Sequence, residues 1–194
     1  SVYVKHEKHS NRLALLHGAI VTAIIDNKME EHGPIIAEVM VAWAEAGVML
    51  TTLTSEEISQ LKKQGKAETC YGGGKAKGDE PCLSHRPHEV QIYGGTYIQQ
   101  AYLMRDQFTK KQFKIIDKYI DTLYKKYIEP WTLSASGSSV GFFQMADGTV
   151  SVLSYLAWKD KPEEAAKWIK RGIKKANKVV YKDGYIHNNS FRGV

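Results

Sequence analysis

The stretch from Gln112 to Tyr127, which reads Gln-Phe-Lys-Ile-Ile-Asp-Lys-Tyr-Ile-Asp-Thr-Leu-Tyr-Lys-Lys-Tyr, decides the fold class. Its apolar residues recur three or four positions apart, at Phe113, Ile116, Ile120, Leu123 and Tyr127. This spacing places them along one face of an α-helix and leaves charged residues on the other face. The stretch therefore predicts an amphipathic helix, which we expect to stop at Pro130.

The same helical period appears on both sides of this stretch. We expect further helices that begin at Ser10, Pro34, Ser55, Val140 and Pro162, and the period is also visible from Tyr97 onward. No strand pattern of any length competes with it. The sequence thus predicts an all-α fold of about seven helices in consecutive antiparallel hairpins, joined by short turns.

Size and charge limit the possible functions. The chain has 194 residues, which suits a single domain over residues 1–194 with its own hydrophobic core. No apolar run approaches the ~20 residues that a membrane-spanning helix needs. The net charge of +6 favours an acidic partner, such as a polyuronic acid, a nucleic acid or an anionic surface.

The segment from residue 66 to residue 89 differs from the rest. It is rich in glycine and carries both cysteines, Cys70 and Cys82, so we expect a lid-like loop closed by a disulfide. Two cysteines around a short pliable loop favour an oxidising compartment, which indicates a secreted or periplasmic protein. A zinc site is the less favoured alternative, because His85 and His88 would have to turn back toward both sulfurs.

Two motifs lie near opposite ends of the chain. Ala42-Trp-Ala-Glu-Ala-Gly-Val-Met-Leu-Thr-Thr52 is a helix end rich in small residues. The second motif runs from Trp168 through the turn at Gly184 to Arg192. Together they resemble the alginate lyases of polysaccharide lyase family 5, whose corresponding helix end and cleft arginine show the same spacing.

This resemblance implies an incomplete (α/α) toroid with a groove for a uronic-acid polymer, which such enzymes cleave by β-elimination. Arg192 matches the arginine of the family's cleft, and Asn189 occupies the place of a glutamate that usually lies just before it. The reaction requires hydrogen-bond donors that neutralise the uronate carboxylate and a base that removes the neighbouring C5 proton. No cofactor or metal is implied.

The chain also departs from the family pattern. Where the family has Asn-Asn-His, ungapped counting finds Phe143-Gln144-Met145, and Gln144 retains only amide donors for a carboxylate. The catalytic tyrosine of the family would fall beyond Val194. Three explanations stay open: the sequence is truncated at its C-terminus, other residues supply the catalytic groups, or the domain binds its polymer without cleaving it.

Residues near the end of the lid-like loop offer replacements for the missing groups. His85 is a candidate general base, and Arg86 and His88 are candidates for gripping carboxylates. Tyr93, Tyr97 and Gln99 follow at what the pattern indicates is a helix start. Tyr97 is a candidate base, whereas Tyr93 and Gln99 are candidates for binding the sugar.

Two other functions compete with the lyase. Gly141 to Thr149 resembles a segment of lysozyme-like lytic transglycosylases, and Glu129 would then be the acid that cleaves peptidoglycan. A non-catalytic domain that binds an acidic polysaccharide would need only the groove and its charge. Nucleic-acid binding is disfavoured, because the basic residues form no recognised nucleic-acid motif.

Overall fold

The computed structural model describes residues 9–50, 87–133 and 139–179, together with the short pieces 56–57, 60, 63–64, 68–69 and 82–83. Nearly all of the three long ranges is helical, so the predicted all-α class is confirmed. The helices are α1 (His9–Ile25), α2 (Met29–Glu45), α3 (Pro87–Leu103), α4 (Lys110–Leu123), α5 (Glu129–Leu133), α6 (Ser139–Trp158) and α7 (Pro162–Val179). A π-helical turn, Tyr124–Ile128, joins α4 to α5 into one rod.

Several helix ends differ from the prediction. Helix α1 includes Ser10, which was expected to cap it. Helix α2 begins at Met29, and Pro34 lies inside it rather than at its start. A proline at this position removes one hydrogen bond of the helix. The loss falls near the N-terminal end of α2, where Pro34 is exposed, and the helix continues.

The region around the predicted loop also differs. Helix α3 starts at Pro87, ten residues before Tyr97 and inside the range assigned to the loop. Two short strands, β1 (Glu68–Thr69) and β2 (Cys82–Leu83), pair in parallel. The pairing is too short to give a strand pattern in the sequence. The helix expected from Ser55 falls where only scattered residues are described, and the rod of α4 and α5 continues past Pro130.

Helix α3 is the centre of the fold. It contacts α1, α4, α5 and α6, and its buried side chains include Val90, Tyr97, Ile98, Gln100 and Ala101. Gln99, Tyr102 and Leu103 stay exposed on its remaining side. The Gln100 side chain donates a hydrogen bond to the Leu13 carbonyl at 2.9 Å and so fixes α1 against α3.

Glycines let α6 approach α3 closely. A Cβ atom built on Gly95 would lie 2.0 Å from the Ser151 Oγ atom and 3.0 Å from the Ser151 Cα atom. A side chain at position 95 therefore has no room while α6 stays where it is. The neighbouring Gly94 is different, since its added Cβ would meet only Ile128 and Leu123 side chains at 3.6 Å or more.

Helix α4 is built as its sequence indicates. Thr109 caps its start, because the Thr109 hydroxyl accepts from the Gln112 amide and the Gln112 side chain accepts from the Thr109 amide. The predicted positions Ile116, Ile120 and Leu123 are fully buried. Among the described helices, none is long and apolar enough to cross a membrane.

Candidate functional site

The residues proposed from sequence fall into two groups. Cys70, His85, Arg86, Asn189 and Arg192 lie outside the residues that the structure describes. For Gln144 in α6, His88 in α3 and Cys82 in β2, only the backbone is described. The disulfide and the roles given to these residues stay predictions. The parallel pairing sets Cys82 opposite Glu68 rather than opposite Cys70.

Tyr97 lies in the core of the protein. Its side chain is fully buried, and its hydroxyl donates a hydrogen bond to the Met40 carbonyl at 2.7 Å. Burial, with a smaller contribution from Tyr119, raises the pKa of Tyr97 well above its usual value. A general base has to face the substrate and lose its proton readily. Tyr97 therefore serves as a structural donor to the Met40 carbonyl.

Tyr93 and Tyr97 lie on the same side of α3, whereas Gln99 does not. Tyr93 is half-buried and packs against the core, whereas Gln99 is exposed. Successive residues of a helix are 100° apart. Tyr93 and Tyr97 are therefore roughly 40° apart, and Gln99 points roughly 120° away from Tyr93 and 160° away from Tyr97. The two tyrosines share the face that packs against the core, so the three side chains do not form one exposed group.

Three tyrosines hold the last turns of α2 and the motif that begins at Ala42. Tyr97 binds the Met40 carbonyl, Tyr119 donates to the Val48 carbonyl, and Tyr127 donates to the Leu50 carbonyl at 2.9 Å. Gly47 adopts a left-handed backbone with φ of +61°, which ends α2 at the expected place. We call Tyr97, Tyr119 and Tyr127 the core tyrosines. They fix the path of the chain as it leaves α2.

A second group of polar side chains joins α4 to α6. Lys159 donates to Asp117 at 2.5 Å and to Asp121 at 2.9 Å, and the Trp158 indole donates to Asp117 at 2.8 Å. The Tyr155 hydroxyl donates to Asp121 at 2.9 Å. We call Asp117, Asp121, Tyr155, Trp158 and Lys159 the carboxylate cluster. Both of its aspartates thus have partners within the fold.

The charges of the cluster stabilise one another. Burial raises the pKa of Asp121, but the hydrogen bonds from Lys159 and Tyr155 outweigh burial, and the net pKa is lowered. Burial lowers the pKa of Lys159, but Asp117 and Asp121 outweigh it and raise the pKa overall. The pKa of Tyr155 is raised by its burial and then by its hydrogen bond to Asp121. At neutral pH Asp121 is therefore a carboxylate, Lys159 an ammonium and Tyr155 a neutral phenol.

An open groove of about 390 Å³ runs along α4 beside this cluster. We call it the lysine groove; its lining consists of Lys114, Asp117, Lys118, Asp121, Thr122 and Lys125. The three lining lysines are exposed. Together with Lys159 they outnumber the two aspartates, which leaves the groove and its border with a net charge of +2. Such an arrangement attracts anions.

The π-helical turn follows the groove directly. Tyr124 stacks on Tyr155 with ring centroids 3.6 Å apart, and its hydroxyl donates to Glu129 at 3.0 Å. Single π-helical turns are frequent at functional sites. Glu129 is half-buried and has this partner inside the fold. Its suggested role as an acid in peptidoglycan cleavage stays a prediction.

Sequence reasoning did not find the lysine groove. The alternation of lysines and aspartates on α4 is visible in the sequence, but such a pattern is typical of any solvated helix face. Only the position of Lys159, just after the end of α6, shows that both aspartates have an ion-pair partner outside α4. Within the described ranges, no three histidine, cysteine or acidic side chains come together as a metal site would require.

Comparisons with known proteins identify no relative. No protein family, no curated protein and no solved structure matches the chain.

Proposed function

We propose that this chain is a polysaccharide-lyase-type domain that binds a uronic-acid polymer and cleaves it by β-elimination. The structural observation that carries the ligand class is the lysine groove. Lys159 forms ion pairs with both aspartates of the groove. The three lining lysines therefore present their charge to solvent and to a ligand. The lyase step itself rests on the resemblance of the Ala42 and Arg192 motifs to alginate lyases.

The shape of the lysine groove suits an extended polyanion. Lys114 and Lys125 are eleven residues apart on one helix face, which corresponds to roughly 16 Å along the helix axis. An extended acidic chain along α4 would meet Lys114, Lys118 and Lys125 in turn. Exposed charges interact weakly one at a time, at about 0.2–1 kcal/mol each, so a repeating polyanion gains more than a single acid.

The proposed reaction assigns roles to residues predicted from sequence. Arg192 and Gln144 would donate hydrogen bonds to the uronate carboxylate, which makes the C5 proton more acidic. His85 would remove that proton, and the released electron pair would form the C4–C5 double bond while the glycosidic C4–O bond breaks. The leaving oxygen then takes up a proton. The secreted or periplasmic location, where such polymers occur, is part of the same proposal.

The cleavage step is tested by following the ultraviolet absorbance of the unsaturated uronate during incubation with polymannuronate, polyguluronate and glucuronan. The proposal expects product from at least one polymer, and a loss of more than about a hundredfold in kcat for Arg192→Ala. Arg12→Ala is the matched control, because Arg12 is exposed on α1 away from the groove. Equal rates for the two variants would contradict the role of Arg192.

The binding step is tested with a variant of the lysine groove. Lys114→Gln/Lys118→Gln should raise KM by roughly three- to tenfold and weaken its salt dependence, while kcat stays the same. Lys28→Gln/Lys167→Gln removes the same charge at exposed sites elsewhere and serves as the control. If both pairs raise KM equally, net charge alone attracts the polymer and the groove has no special role.

A domain that only binds the polymer is the second candidate, and the lysine groove supports it equally. In that case no unsaturated product appears with any polymer. Retention on immobilised alginate would still be sensitive to salt and would be weakened by Lys114→Gln/Lys118→Gln. Absence of both cleavage and retention would reject the acidic polysaccharide as the ligand.

A further inference from the structure

Helix α2 carries a second apolar face that no described element covers. Its buried face contains Ile36, Ala37 and Met40. On the opposite side Ile35 is 63% exposed and Val39 is 50% exposed. Ala42 and Ala46 continue this outer face one and two turns further and are also exposed. A helix that is apolar on both sides is typical of a helix packed between two layers.

The outer face of α2 has the spacing of a helix–helix seam. Ile35, Val39, Ala42 and Ala46 follow one another at intervals of four, three and four residues, which is the repeat of two-stranded helical packing. Three exposed glutamates, Glu31, Glu38 and Glu45, recur every seven residues along one edge of this face. We call this surface the acidic face. It combines an apolar stripe with a negatively charged border.

Helix α7 presents a surface of the opposite charge. Its Trp168 and Gly172 lie toward α6, whereas Ile169 is 47% exposed and Ile173 is 56% exposed. Ala166 extends this stripe by one turn and is also exposed. The lysines that border the stripe, Lys167, Lys170 and Lys174, are all exposed. We call this surface the basic face.

We propose that the acidic face of one copy of this chain docks on the basic face of a second copy. Ile35 and Val39 would pack against Ile169 and Ile173, and the glutamate border would lie beside the lysine border. The match in spacing and the opposite signs of the borders favour this occupant over a nucleic acid, which would avoid the glutamates. Because the two faces differ, a pair of copies keeps one free acidic face and one free basic face, so further copies can add at both ends.

Sedimentation of two single variants tests the docking. Val39→Glu disables only the acidic face, and Ile173→Glu disables only the basic face. The wild-type protein should show an apparent mass that rises with concentration and falls with added salt. Each variant alone should stay monomeric, since a buried unpaired charge weakens the contact more than about tenfold. An equimolar mixture should form a dimer and nothing larger, because one intact face of each kind remains.

Charge exchange provides a second measurement. Glu38→Lys alone and Lys170→Glu alone should each weaken association, and the double variant Glu38→Lys/Lys170→Glu should restore it. Leu15→Glu is the control, because Leu15 is 75% exposed on α1 and lies outside both faces. Circular dichroism verifies that every variant keeps its helix content.

Three results would overturn the docking. The first is a wild-type protein that stays monomeric at all concentrations. The second is a Val39→Glu protein that associates as the wild type does. The third is an equimolar mixture of Val39→Glu and Ile173→Glu that stays monomeric while the wild type associates.

Discussion

The core tyrosines and the tyrosines beside the lysine groove use the same chemical group in two ways. Tyr97, Tyr119 and Tyr127 donate their hydroxyl hydrogens to main-chain carbonyls within α2 and after its end. Tyr124 and Tyr155 donate to the carboxylates of Glu129 and Asp121. The first set fixes the backbone, and the second set engages acidic side chains next to a surface rich in lysine.

This difference shows that one helical scaffold uses tyrosine hydroxyls both to fix the backbone and to bind acidic side chains. A phenol bonded to a carbonyl has a neutral partner whose position it fixes. A phenol bonded to a carboxylate also reduces the negative charge that nearby lysines would otherwise contact. The core tyrosines thus fix α2 and the motif after it, while Tyr155 and Lys159 both bind the Asp121 carboxylate, which lines the groove.

The largest effect on the core side is expected from Gly95→Ala. The added methyl group would meet Ser151 at 2.0 Å, so α6 has to move away from α3. We expect the free energy of unfolding to fall by about 2 kcal/mol, although alanine favours a helix over glycine by about 1 kcal/mol. Chemical denaturation measures the change.

Two variants control for the Gly95 prediction. Gly94→Ala should be neutral or slightly stabilising, since its methyl group meets only ordinary contacts at 3.6 Å or more. Adding Ser151→Gly to Gly95→Ala should recover part of the loss. If Gly95→Ala is as stable as Gly94→Ala, the close approach of α3 and α6 is not as the structure places it.

The next largest effect is expected at alkaline pH, which should reduce the stability that the buried Tyr97 contributes. Burial raises the pKa of Tyr97 above its usual value of 10.0, so the fold favours the neutral phenol. The corresponding stability is complete below pH 10 and is lost as the pH rises above it. For Tyr97 alone the loss is about 1.4 kcal/mol per pH unit. Thermal unfolding measured between neutral and alkaline pH tests this loss. Tyr97→Phe should make the free energy of unfolding depend less steeply on alkaline pH. An unchanged dependence would show that Tyr97 titrates normally.

Removing single tyrosine hydroxyls should affect stability in one set of tyrosines and polymer affinity in the other. Tyr97→Phe should cost about 1 kcal/mol of stability, because a buried hydrogen bond is lost. It should leave polymer affinity unchanged. Tyr155→Phe should cost less stability, since Asp121 keeps Lys159 as a partner, but it should weaken polymer binding by freeing negative charge. Denaturation and retention on alginate are the two measurements, and equal retention for both variants would contradict the comparison.

The smallest expected change in stability comes from Lys159→Met on the groove side. Lys159 is partly exposed, so its two ion pairs contribute less than about 1 kcal/mol after solvent screening. Its loss leaves Asp117 and Asp121 free to contact the groove lysines, so we expect polymer affinity to fall more than stability does. Lys161→Met, which removes one exposed pair with Glu164, is the control. Equal retention of the two variants on alginate would show that Lys159 does not shape the groove.

Much of the fold was predictable from local spacing. The apolar period on α4 and the proline that opens α7 gave the correct helices. The start of α3 was missed, because residues 87–96 follow a glycine-rich segment and contain the adjacent Gly94 and Gly95, which interrupt the apolar period. Tyr97 looked like a site residue since tyrosine suits a core and a cleft equally.

The sequence by itself determined the all-α class, the apolar faces and the positive charge, because these depend on spacing and composition. It also supplied the motifs around Ala42 and Arg192 that suggest a uronic-acid polymer. Only the tertiary structure decided which charges are free. Asp117, Asp121 and Lys159 are up to 42 residues apart in sequence, and their pairing depends on how α6 crosses α3 at Gly95 and reaches α4. Partners that meet through packing leave no local pattern, so the lysine groove became visible only in the folded chain.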